Sequence, residues 1–247
     1  MSALPAWPYP RLAAHRGAGK LAPENTLAAF RLGHAHGYRM AELDVKLSAD
    51  GVAFLLHDDT LDRTTDARGR ADALTWRELS QLDAGSWHSP GYAGEPLPTL
   101  AAVARWSLAL DVAVNIEIKP TRGRERETGA AVTLDAATLW AGARVSPLVS
   151  SFSEAALEAA RDAVPDLPRA LLGDRLPDDW RERATRLACV AVDVKHALLT
   201  REKVDEIHAA GLRIATWTVN DPARAADLLA WGVDTVITDA VDVIAPP

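Results

Sequence analysis

At 247 residues, with 48% hydrophobic and 25% charged side chains, the chain has the size and composition of one large domain spanning residues 1–247. A net charge of −7 argues against nucleic acid and anionic lipid as partners, because both demand a basic surface. The single cysteine, Cys189, excludes an internal disulfide and a cysteine metal cluster, and its apolar neighbours read as core.

Residues 1–10 contain three prolines and no apolar core of signal-peptide length. No stretch reaches the roughly 18 apolar residues of a membrane span, so no membrane insertion is expected and the cytoplasm is the expected location. Short apolar runs at 12–14, 40–45, 112–118, 148–149, 170–172, 189–194, 212–219 and 235–237 predict strands. Amphipathic stretches at 127–140, 154–164, 201–210 and 222–231 predict helices between them. Gly37, Gly211 and Gly232 stand where helices should stop, and Asp221-Pro222 supplies an N-cap followed by proline at the first helical position. This βα alternation predicts an α/β fold, a closed parallel (β/α)8 TIM barrel. A doubly wound open sheet is the alternative, and no Gly-x-Gly-x-x-Gly turn supports it.

One further apolar run, 52–56, is tied to the second strand by a link too short for a parallel crossover. It should fold back as an antiparallel arm. With Ser48 opposite Gly51, the register sets Leu47 against Val52, Asp44 against Leu55 and Glu42 against His57, which predicts His57 beside Glu42 at the barrel mouth. Residues from about 60 to 98 fit no βα unit and hold one helical piece at 75–82; they read as an insertion after the second strand, a lid or binding subdomain. Only nine residues follow Thr238, so the last outer helix should be a stub.

In such barrels the C-terminal strand ends build the active site. Side chains at i and i+2 share a face, so Glu42 and Asp44 converge, as do Glu117 and Lys119. Crowded carboxylates repel unless protonated or bridged by a cation, and this hard oxygen set suits one divalent cation, Mg²⁺ or Ca²⁺. The competing reading is a solvated strand face. His15 and His57 both end apolar runs aimed at the same mouth, where two imidazoles can divide proton transfers as base and acid. His34, His36, His88 and His208 lie in polar helical or loop contexts and read as structural. Arg16 offers a planar fork for two phosphate oxygens, Gly17 lets the backbone approach a ligand, and Lys119 can hold a phosphate oxygen or neutralise a leaving group. Arg122, Arg124 and Arg126 read as a solvated loop and helix start. Asn25 or Thr26 reads as an N-cap; Glu24 could hold a histidine or a substrate hydroxyl. Trp217 is either barrel filling or an apolar wall of the pocket. These parts are those of a metal-assisted phosphodiester hydrolase acting on a small molecule.

His15-Arg16-Gly17, Pro23-Glu24-Asn25-Thr26, Glu42-x-Asp44, His57-Asp58 with Leu61-x-Arg63-Thr64, Glu117-x-Lys119, Ser151-Phe152, Trp217-Thr218-Val219-Asn220 and Thr238-Asp239 together resemble the bacterial glycerophosphodiester phosphodiesterases, in family order over nearly the whole chain. Gly19-Lys20-Leu21-Ala22, Asp83-Ala84-Gly85-Ser86-Trp87 and Trp231-Gly232-Val233-Asp234 are similar to the cytosolic member that accompanies the glycerol-3-phosphate uptake system. The resemblance implies a barrel with an insertion, a divalent cation, and hydrolysis of glycerophosphodiesters to sn-glycerol 3-phosphate and an alcohol. It implies that His15 and His57 are the acid–base pair and that Glu42, Asp44 and Glu117 are metal ligands. Arg16 and Lys119 fall on phosphate-contacting positions. Choline, ethanolamine and glycerol esters should all be accepted. An intact phospholipid or lysophospholipid as substrate is the rival reading.

Overall fold

The computed structural model describes residues 4–246. Its strands are β1 (Leu12–Ala14), β2 (Met40–Leu47), β3 (Ala53–Leu55), β4 (Ala113–Ile118), β5 (Leu148–Ser151), β6 (Arg169–Gly173), β7 (Ala191–Lys195), β8 (Arg213–Trp217) and β9 (Thr235–Thr238). All but β3 run parallel in chain order, and β9 pairs back onto β1 to close an eight-stranded barrel. Around it lie α1 (Leu27–Ala35), α2 (Trp76–Leu79), α3 (Leu100–Ala109), α4 (Glu125–Leu139), α5 (Glu154–Ala163), α6 (Trp180–Arg186), α7 (Arg201–Ala209) and α8 (Pro222–Trp231). No helix among the described residues is long and apolar enough to cross a membrane.

A period of two along each strand divides the barrel into an outer and an inner set. On β2, Ala41, Leu43, Val45 and Leu47 pack under the helices with Leu100, Val103 and Val132. The alternate residues, Met40, Glu42, Asp44 and Lys46, lie on the opposite, inner face. The lower interior is plugged by Ala13, Met40, Leu148, Ala170, Ala191 and Ile237. Above that plug the inward positions turn polar, and this change of character along the barrel axis creates the cavity described below.

The antiparallel arm exists, but its register differs from the expected one by a residue: Val45 faces Leu55, Lys46 faces Phe54 and Leu47 faces Ala53. The turn takes one residue more than predicted. Ser48 donates its N–H to the Val52 carbonyl, and its hydroxyl accepts the Val52 N–H, so Val52 belongs to the turn and cannot face Leu47. Arg124, expected in solvent, instead donates to the Ser48 carbonyl at 3.0 Å and pins the turn to α4. Glu42 therefore does not face His57 in the ladder. The last ladder bond runs from Leu56 N–H to the Asp44 carbonyl at 3.2 Å, and the irregular chain beyond it carries His57 to the mouth.

Residues 60–98 form the predicted insertion around their own small core of Leu61, Leu79, Ala84 and Leu97, which Phe54 and Leu56 join. Its helical piece is shorter than predicted: α2 starts from a capping box between Thr75 and Glu78 and spans one turn. Past β9 the described chain makes only a turn, less than a stub helix.

The β1–α1 connection is a tight joint. A Cβ at Gly33 of α1 would lie 2.0 Å from the Gly17 carbonyl oxygen, and one at Gly17, which has φ of 99°, would lie 2.8 Å from the Ala29 backbone. Two hydrogen side chains let the helix press against the loop that carries His15 and Arg16. Gly33→Ala should cost about 1–3 kcal/mol by overpacking, lowering Tm by several degrees in thermal denaturation and reducing activity; an unchanged Tm would show that the joint has slack.

Candidate active site

At the C-terminal ends of the parallel strands lies a cavity of about 170 Å³ whose walls include His15, Arg16, Glu42, His57, Glu117 and Lys119. Asp44 is buried just behind that wall, 1% exposed. The three acids come from β2 and β4, where Asp44 and Glu117 are direct neighbours in the ladder. One oxygen from each of Glu42, Asp44 and Glu117 lies within 4.8 Å of the others. Glu42 Oε1 and Asp44 Oδ1 have no hydrogen-bond partner among the described residues, and Glu117 Oε1 meets Lys119 Nζ at 2.8 Å. Buried acceptors left open in this way fit a hard divalent cation.

Electrostatics say the same. Burial, reinforced by the Asp44 charge, pushes Glu117 up to about 8. Burial and the charges of Asp44 and Glu117 push Glu42 well above its usual range. Burial also works against Asp44, but Arg16, Lys119, His57 and Asn25 outweigh it and hold this carboxyl below its usual value. Without a cation the cluster is thus one carboxylate beside two acids that resist ionisation.

Cationic groups surround the cluster. Arg16 lies 3.2 Å from Asp44 through Nε, and its main-chain N–H donates to Glu42 at 3.1 Å. Its backbone occupies the left-handed region, φ 50°, a conformation costing about 1–2 kcal/mol outside glycine. The bonds from Arg16 N–H to Glu42 and from Asn25 N–H to the Arg16 carbonyl hold it there. Asn25, itself at φ 59°, clamps Asp44 through two bonds: its amide donates to the carboxylate at 2.8 Å and accepts the Asp44 main-chain N–H at 3.1 Å. Thr26, not Asn25, is the N-cap of α1.

Both imidazoles are anchored through Nδ1. His15 meets Asp239 at 2.6 Å, and Asp239 in turn accepts from Asn220 at 2.9 Å. His57 meets Asp58 at 2.6 Å, and Asp58 accepts from Arg63 at 2.7 Å. A carboxylate partner makes Nδ1 the donor and leaves Nε2 for proton exchange. The Arg63 hydrogen bonds hold Asp58 far below the usual carboxylate range. Burial depresses His57, with the Asp44 charge opposing.

Glu24 does not do what its position suggested. Its oxygens accept from Arg16 at 2.8 Å and from Arg63 at 2.7 Å, so it holds two guanidinium groups and contacts neither a histidine nor the cavity. The chain of ion pairs Arg16–Glu24–Arg63–Asp58–His57 fastens the insertion to the mouth. Trp217 lines the cavity and meets Phe152 edge-on, with centroids 5.7 Å apart. It also packs against the apolar plug, so it serves both readings, barrel filling and pocket wall. Cys189 is buried.

Sequence reasoning read Asn25 only as a possible N-cap and quoted Asp58, Arg63, Asn220 and Asp239 within motifs without giving them a role. Asp58 holds the adjacent His57, Arg63 holds Asp58 from five residues on, and Asn220 reaches Asp239 across 19 residues. Asp193 and Asn115 were missed as well. Their signal was a polar residue at an inward position of an otherwise apolar strand.

The glycerophosphoryl diester phosphodiesterase family is matched over residues 15–243. The chain belongs to that family, and it is a phosphodiesterase. YhdW of Bacillus subtilis is 36% identical over 94% of this chain and 95% of its own length. A glycerophosphodiester phosphodiesterase of Caldanaerobacter subterraneus is 34% identical over 92% of each chain. An Oleispira antarctica phosphodiesterase, solved in complex with the product sn-glycerol-3-phosphate, superposes with a TM-score of 0.89 at 35% identity, covering 96% of this chain and 95% of that one.

The raised carboxyls fix a pH dependence. Glu117, at about 8 against its usual 4.5, keeps a proton in the folded metal-free enzyme that the unfolded chain releases. That contribution is fully present below 4.5 and is lost as pH rises towards 8. Chemical denaturation of chelator-treated enzyme should show this decline, with a saturating divalent cation removing it and Glu117→Gln reducing it. Equal declines in wild type and Glu117→Gln would contradict the burial of charge in this cluster.

Proposed function

We propose that the enzyme hydrolyses glycerophosphodiesters, such as glycerophosphocholine and glycerophosphoethanolamine, to sn-glycerol 3-phosphate and an alcohol, with one divalent cation and a histidine pair. The carrying observation is the convergence, at one strand-end cavity, of three buried acids with open oxygens and two imidazoles each backed by a carboxylate. The sn-glycerol-3-phosphate bound to the Oleispira antarctica relative supports the choice of product.

Glu42, Asp44 and Glu117 would hold the cation, Mg²⁺ or Ca²⁺. When bound, it supplies positive charge to a phosphate oxygen and acidifies a nearby hydroxyl. Arg16 and Lys119 face the same cavity and neutralise charge building on the phosphate, the largest electrostatic contribution this chain makes to the reaction. Lys119 is kept cationic: burial opposes its charge, but Glu117 and Asp44 raise its pKa above the usual value. His57, whose pKa burial lowers against the Asp44 charge, takes the proton of the attacking hydroxyl or water through Nε2. His15, oriented by Asp239, delivers one to the departing alcohol. Asp58 and Asp239 fix the ring orientations and stabilise each imidazolium. The alcohol only leaves, so its identity matters little.

His15→Ala and His57→Gln should each lower glycerol 3-phosphate release from glycerophosphocholine by about 10²–10⁴-fold. With p-nitrophenol as the leaving alcohol no acid is needed, so His15→Ala should recover most of its rate while His57→Gln does not. Unchanged turnover in both variants would refute the acid–base pair; equal recovery in both would refute the division of roles.

A further inference from the structure

The cavity has a polar floor that the chemistry above does not use. Asp193 is the inward residue one step above Ala191 of the apolar plug, and it is 1% exposed. Across the barrel, Asn115 of β4 donates Nδ2 to Asp193 Oδ2 at 3.2 Å, and Ser150 of β5 donates its hydroxyl to Asn115 Oδ1 at 3.0 Å. These bonds occupy Asn115 Oδ1 and one oxygen of Asp193. The other, Oδ1, is buried with no partner among the described residues, yet Asp193 lines the cavity with Asn115 and Ser150.

An apolar side chain would fill this layer without cost, as Leu148 and Ala191 do in the layer beneath. An oriented, unpartnered acceptor facing an enclosed space instead calls for a donor that arrives from outside. Burial pushes the Asp193 carboxyl up to about 7, against the opposing hydrogen bond from Asn115.

We propose that Asp193, oriented by Asn115 and Ser150, accepts a hydrogen bond from a hydroxyl of the substrate's glycerol moiety and selects glycerol esters over other phosphodiesters. This rests on the glycerophosphodiester reading above. The glycerol end is assigned here because the floor is closed by the apolar plug. A leaving alcohol of variable size needs the open side, where Phe152 is 42% exposed. Arg16 and Lys119 line the same cavity and would take the phosphate between the two ends.

Titration calorimetry of the metal-loaded enzyme, with sn-glycerol 3-phosphate and separately with inorganic phosphate, tests this. Asp193→Ala should weaken glycerol 3-phosphate binding by about 10–100-fold and leave inorganic phosphate unchanged; Asp193→Asn, which keeps an acceptor and the volume, should lose less. kcat/KM for glycerophosphocholine should fall in parallel, while that for bis(p-nitrophenyl) phosphate, which has no glycerol, holds. Equal losses for both ligands in both variants, or none for either, would overturn the assignment. A wild-type enzyme that cleaves bis(p-nitrophenyl) phosphate but releases no glycerol 3-phosphate would instead overturn the underlying functional reading.

Discussion

Three carboxyl groups buried within a few ångströms of each other are a standing repulsion, and most of the mouth of this barrel is organised around it. Glu42, Asp44 and Glu117 cannot all ionise in the metal-free enzyme: burial and mutual repulsion raise Glu42 and Glu117, and only Asp44 has enough positive neighbours to stay charged. A divalent cation would turn the same geometry from a liability into a binding site. The sheet enforces that geometry, because Asp44 and Glu117 are ladder neighbours and Glu42 is two residues along the same strand face.

The groups around the acids are held by their own supports. Arg16 sits in a left-handed conformation that its backbone bonds to Glu42 and Asn25 maintain, and the Gly17–Gly33 contact presses its loop against α1. Each histidine has a carboxylate at Nδ1, and each of those carboxylates is held by a further donor, Asn220 or Arg63. The insertion therefore helps position groups at the mouth, since its Arg63 ties Glu24 beneath Arg16 to Asp58 beneath His57. Preorganisation of this kind sets the charges before substrate arrives, where they act on developing charge without reorganising.

The barrel was legible from the sequence because its signals are local: short apolar runs, amphipathic stretches between them, and glycine or Asp-Pro at the helix ends. The polar strand-end residues were legible for the same reason, since a charged residue two positions from another on an apolar run announces a shared face. What escaped depends on tertiary detail. The arm register turned on whether Val52 joins the turn, a choice made by two hydrogen bonds between Ser48 and Val52. Glu24 went to Arg16 and Arg63 because the insertion brings Arg63 across from 39 residues away, a distance no local pattern spans. Asp193 and Asn115 meet across the barrel interior, 78 residues apart, so their partnership exists only once the sheet has closed.

The cation at the centre is the most direct point of test. Chelator-treated enzyme titrated with Mg²⁺ and with Ca²⁺ should bind one ion per chain and release protons as it does so, because the raised carboxyls must ionise to ligate. Glu42→Gln, Asp44→Asn and Glu117→Gln should each abolish that binding, and His57→Gln should leave it intact. A wild-type enzyme that takes up neither ion, or triad variants that bind as tightly as wild type, would contradict a site built on buried repulsion.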